Sequence, residues 1–71
     1  MSVSEMQRQW SPIARATGLR IRYIGGYSYR VRDSAGVWLT ENLTLLQAHF
    51  RGCQIGREML AKQADDLSEV L

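Results

Sequence analysis

The sequence predicts an α+β fold: an N-terminal helix, a three-stranded antiparallel meander and a long C-terminal helix. Two changes of hydrophobic period and two glycine-closed turns predict it. The period is helical before Gly18, two between Leu19 and Thr40, and helical again from Leu43. The 71 residues suffice for one small domain, 1–71, with a modest core that a partner or a second copy could extend.

The first element rests on Ser2 and Glu5, which have the spacing of a capping box, and on Val3, Met6 and Trp10, which fall on one helical stripe. Ser11-Pro12 reads as a new N-cap followed by proline at a first helical position. A short helix, a kink near Ser11 and a further turn through Ala16 are therefore expected, with Gly18 as a left-handed C-cap.

From Leu19 the side chains alternate. Leu19, Ile21, Tyr23, Tyr27, Tyr29, Val31, Val37 and Leu39 share one face, and Arg20, Arg22, Ser28, Arg30, Arg32, Trp38 and Thr40 the other. A two-residue turn at Gly25-Gly26 would mix the faces. A three-residue loop, Ile24-Gly25-Gly26, keeps them apart and pairs Tyr23 with Tyr27, Ile21 with Tyr29, Leu19 with Val31 and Arg20 with Arg30. Asp33-Ser34-Ala35-Gly36 is a second turn of the same kind. It sets Val31 opposite Leu39, Asp33 opposite Val37 and Trp38 beside Arg32.

The last helix is expected from Leu43, capped by Thr40 or Asn42. Leu46, Phe50, Cys53, Arg57, Leu60, Ala64, Leu67 and Leu71 follow spacings of four and three, and only Arg57 interrupts this apolar seam. Gly52 and Gly56 each weaken the helix by roughly 1 kcal/mol against alanine. Either the helix runs through with a bend or it breaks between them. The seam keeps its phase across the glycines, which favours a continuous helix, and their spacing marks a tight helix crossing or a break. At 1.5 Å per residue it would reach roughly 40 Å, more than a small sheet can cover. Phe50, Leu60, Ala64, Leu67 and Leu71 are thus candidates for a dimer or partner interface.

Charge is distributed unevenly. Residues 1–38 carry a net +4 and residues 39–71 a net −2, and eight of the nine basic residues are arginine. Arginine makes planar, bidentate contacts to phosphate and carboxylate. Like charges facing each other destabilise a sheet. Four arginines on one face, with Trp38 among them, therefore point to an anionic partner: basic groups for phosphates, an aromatic surface for bases or sugars. In the alternative, Trp38 covers an arginine stem or packs under the N-terminal helix.

Gly26-Tyr27-Ser28-Tyr29-Arg30-Val31-Arg32-Asp33, Gly36 and the helix from Leu43 resemble the N-terminal arm-binding domain of phage tyrosine recombinases, over residues 19–52. That domain is a three-stranded sheet followed by a helix, and its sheet enters the DNA major groove. The resemblance implies that Arg20, Arg22, Arg30 and Arg32 would be the DNA contacts. This chain differs in its extra N-terminal helix, in the absence of a catalytic domain and in having no lysine in its strands.

Other chemistry finds little footing. His49 and Cys53 lie one turn apart, a spacing that suits a thiol–imidazole pair but more often marks a core cysteine beside a surface histidine. With one histidine and one cysteine, no typical zinc site and no intrachain disulfide are expected, and no cofactor is expected either. A helix-turn-helix across residues 44–63 fails at Glu58, where an aliphatic residue is needed. Asp65, Asp66 and Glu69 read as a solvated helix face. No signal peptide and no membrane span are read from the sequence, and the lone cysteine favours the cytoplasm, that of a host if the chain is phage-encoded.

The sequence thus predicts a small, non-enzymatic nucleic-acid-binding accessory or regulatory protein, with DNA favoured and a homodimer expected. The rival is an inhibitor of the phage anti-defence or anti-CRISPR type, which blocks a host protein or nucleoprotein complex. It would use the arginine face on an acidic surface or the long helix in a groove.

Overall fold

The computed structural model describes residues 2–70, with side chains described for 2–66. Helix α1 (Val3–Thr17) leads into a hairpin of β1 (Arg20–Gly25) and β2 (Ser28–Arg32), and helix α2 (Leu45–Val70) closes the chain. The α+β class and the order of elements are as expected. The sheet has two strands instead of three.

Helix α1 starts at Ser2, whose hydroxyl accepts from the Glu5 amide at 3.3 Å. It ends at Gly18, at φ +78°, whose amide donates to Ala14 O at 2.9 Å. No break occurs at Ser11. Pro12 lies within one continuous helix, and the Ser11 hydroxyl donates back to Gln7 O at 2.9 Å instead of capping a new start. Pro12 is exposed, so its ring meets no opposing element.

The hairpin register differs from the expected one by two residues. Arg20 pairs with Arg32, Ile21 with Val31, Arg22 with Arg30 and Tyr23 with Tyr29. The turn is Gly26-Tyr27, with φ of +57° and +63°, the two positive values that a primed hairpin turn requires. The extra residue, Ile24, is absorbed by a bulge between Tyr23 and Gly25. A two-residue turn plus a one-residue bulge has the same parity as a three-residue loop. The faces are therefore preserved while the partners change, and Tyr27 moves from the sheet to the turn.

The second turn keeps its expected register but yields no strand. Asp33 Oδ1 accepts from the amides of Ala35 and Val37, both at 2.9 Å, and Arg32 bridges Trp38. Leu39 N donates to Val31 O at 2.8 Å. The ladder then stops, because the buried Thr40 side chain takes the place of a backbone acceptor: Val31 N donates to Thr40 Oγ1 at 3.2 Å. The chain detours and returns at Leu43, which exchanges two hydrogen bonds with Tyr29, of 2.7 and 2.8 Å. The outer edge of β2 is covered, but by an irregular segment.

Because Leu43 is tied to Tyr29, α2 cannot begin there. It begins after Thr44, where Gln47 N donates to Thr44 Oγ1 (3.2 Å) and Thr44 N donates to Gln47 Oε1 (3.3 Å), a reciprocal capping box in place of the expected Thr40 or Asn42 cap. The helix runs unbroken through Gly52 and Gly56. A Cβ at Gly52 would lie 2.6 Å from Trp10 Cζ3, and one at Gly56 would run into Ile13 Cγ2. The glycines mark the close crossing of α1 over α2.

That crossing redefines the buried stripe. Ala48, His49, Gly52, Cys53 and Gly56 face inward, with Ile55 and Leu60 half-buried, whereas Leu46 and Phe50 of the expected seam are exposed. Small residues on α2 let Met6, Trp10, Ile13 and Ala14 of α1 supply the bulk. Leu19 and Val31, both fully buried, complete the core from the sheet.

Candidate nucleic-acid interface

The apolar side of the hairpin seals only its base. Leu19, Ile21 and Val31 pack on the helices, so Arg20, Arg22, Arg30 and Arg32 turn outward on the opposite face, as parity requires. Arg20 and Arg22 are exposed, and Arg30 and Arg32 are half-buried.

The four are not equivalent. Arg20 folds back onto the end of α1, where its Nη1 donates to Leu19 O at 2.7 Å and Ala14 O at 3.2 Å. A cation is favourable at that helix terminus. Arg30 Nε donates to Thr40 O at 2.8 Å, and its guanidinium lies 5.0 Å from the centre of the Trp38 ring. The tryptophan therefore covers an arginine, as in the alternative raised from sequence, while remaining 42% exposed. Among the described residues, Arg22 and Arg32 make no side-chain hydrogen bond and none of the four arginines is ion-paired. The one carboxylate between Arg20 and Thr40 belongs to Asp33, and its Oδ1 is engaged by the turn. Each cross-strand pair therefore joins one anchored and one free arginine, and among the described residues no carboxylate is paired with either.

The expected interface residues are divided. Phe50 is 58% exposed and forms a ridge between two clefts of about 440 and 340 Å³. Met6, Gln9 and Arg57 line the first, and Leu43, Leu46 and Arg51 the second. Leu60 is half-buried, Ala64 is exposed, and the Leu67 side chain and Leu71 lie outside the described residues. Residues 61–66 are exposed throughout, so this part of α2 extends past the rest of the described structure.

His49 is not a surface residue. It is buried, and its Nδ1 lies 2.8 Å from Leu45 O, which can only accept, so Nδ1 carries the proton. Its ring meets Trp10 edge-on at 6.4 Å. Cys53 is buried in the core, and burial pushes its thiol above the usual range, with a smaller opposite pull from Arg57. Among the described residues, no three His, Cys, Asp or Glu gather as metal ligands, and no helix is long and apolar enough to cross a membrane.

Sequence reasoning missed the hairpin tip. Tyr23 and Tyr27 are 63% and 92% exposed, not part of a buried sheet face. With Tyr29, Thr44 and Leu45 they line an open cleft of about 540 Å³. Only the glycine-rich turn composition hinted that this end would protrude. Comparisons with protein-family models, with known proteins and with solved structures find no match.

Proposed function

We propose that this chain is a small, non-enzymatic nucleic-acid-binding accessory or regulatory protein that acts in the cytoplasm, with DNA as the favoured ligand. The carrying observation is the unneutralised arginine face. Arg22 and Arg32 lie free beside two anchored guanidinium groups, with Trp38 at their side. A polyanion relieves the repulsion within both pairs at once.

Fluorescence anisotropy with a labelled oligonucleotide across a salt series tests this. Affinity should fall steeply as salt rises, and Arg22→Gln and Arg32→Gln should each lower the slope by about one. Binding that ignores salt, or that survives both substitutions, would refute it.

The exposed Phe50 ridge favours a second reading, a homodimer or an inhibitor that docks a host protein through α2. Phe50→Asp with unchanged oligonucleotide binding but lost self-association or protein capture would separate the two activities.

A further inference from the structure

We infer that the hairpin tip is a stacking site for unpaired bases, so that the nucleic acid bound is single-stranded. This rests on the nucleic-acid reading above and names its ligand class.

Tyr27 carries the argument. It occupies the second turn position at φ +63°, a region that L side chains other than Asn and Asp rarely adopt and that glycine adopts freely. It is 92% exposed, so no packing on the body of the protein compensates for that conformation. The fold alone would be better served by glycine or asparagine at this position. Strain that the fold does not need, at an exposed aromatic residue, points to an external contact.

The surroundings suit a base. Tyr23 and Tyr29 lie 5.3 Å apart between ring centres, tilted at 53°, and flank the cleft that Tyr27 also lines. The next rung toward the base of the hairpin is Arg22 opposite Arg30. Successive rungs face opposite ways, so the tyrosine rings lie on one face of the hairpin and the guanidinium groups on the other, and a flexible single strand that passes over the tip at Tyr27 can meet both. Paired bases keep their faces inside the stack and offer none to Tyr27.

The test compares Tyr27→Gly, Tyr27→Asn and Tyr27→Phe, using a labelled mixed-sequence single strand and the duplex of the same sequence. Tyr27→Gly should raise the thermal midpoint by relieving the turn and weaken single-strand binding by roughly tenfold or more. Tyr27→Asn should weaken it similarly, Tyr27→Phe should bind like the wild type, and duplex binding by the wild type should be the weaker. Wild-type affinity in Tyr27→Gly and Tyr27→Asn, with binding still lost in Arg22→Gln, would overturn the stacking site and leave the arginine reading standing. A lower midpoint in Tyr27→Gly would also overturn it, by showing that the tyrosine serves the fold. A wild-type protein that binds neither probe would overturn both readings.

Discussion

Replacing Gly52 with alanine should destabilise the protein, although alanine is the better helix former. The added Cβ would stand 2.6 Å from Trp10 Cζ3 and 3.1 Å from both Cε3 and Cη2. Carbon atoms pack best at about 3.5–4.0 Å, so the indole must retreat by roughly 1 Å. It has nowhere to go, because Trp10 is buried with Met6, Ala14, Leu19 and Cys53 in one cluster. Overpacking of this kind costs about 1–3 kcal/mol, and the rigid ring places it toward the upper end. The helix gains back about 1 kcal/mol from losing a glycine. The net loss is ~1–2 kcal/mol, or a fall of roughly 4–16 °C in a domain of this size. Thermal and urea unfolding followed by far-UV circular dichroism would measure it. Trp10→Phe removes the outer ring atoms, so in that background Gly52→Ala should turn neutral or stabilising. The exposed Ala61→Gly provides the plain helix term, about 1 kcal/mol of loss. If Gly52→Ala raises the midpoint in the wild-type background, the close helix crossing is wrong.

Three further outcomes follow from the same geometry. Thr40→Val should cost about 1–3 kcal/mol, because it leaves the Val31 amide without its acceptor, and that amide should lose its protection in hydrogen exchange. Burial holds the Cys53 proton in the folded state after the unfolded chain would have released it. Stability should therefore be full below the usual thiol range and decline as pH rises through it toward the folded value, and a Cys53→Val variant should show a flatter urea-midpoint profile between pH 7 and 10. Phe50→Asp and Leu60→Asp should reduce any self-association seen by sedimentation. Phe50→Asp should leave the thermal midpoint of the monomer nearly unchanged, since Phe50 is largely exposed.

The class and order of elements were legible because they depend on local period and on capping residues: Ser2, Gly18 and the twin glycine-bearing turns. What failed depended on distant partners. The third strand dissolves because the Thr40 hydroxyl satisfies Val31 and the chain rejoins the sheet at Leu43, two events invisible to an alternating pattern. The start of α2 moved for the same reason. Its buried stripe departs from the expected seam, in which Cys53 is buried but the large Leu46 and Phe50 are exposed. The true inner face is built from Ala48, Gly52 and Gly56, which are inward because they are small and the opposing Trp10 and Ile13 are large.

Parity placed all four arginines on one face, and that placement survived a register shift of two because an even shift preserves faces. Parity could not reveal which of them were free. Arg20 reaches a carbonyl six residues back, and Arg30 one ten residues on, contacts set by the packing of α1 and by the detour at Thr40. These anchors are carbonyl oxygens and an indole face, which carry no net charge. They fix the position of each positive charge without cancelling it. The opposing Arg32 and Arg22 therefore face a held cation across the ladder, and an anion is the partner that lowers the energy of both members of the pair. Had the pairs joined free with free, both side chains could have splayed apart and the repulsion would have dissipated. Anchoring one member of each pair keeps a positive surface in place before any ligand arrives, which lowers the ordering cost of binding an extended polyanion.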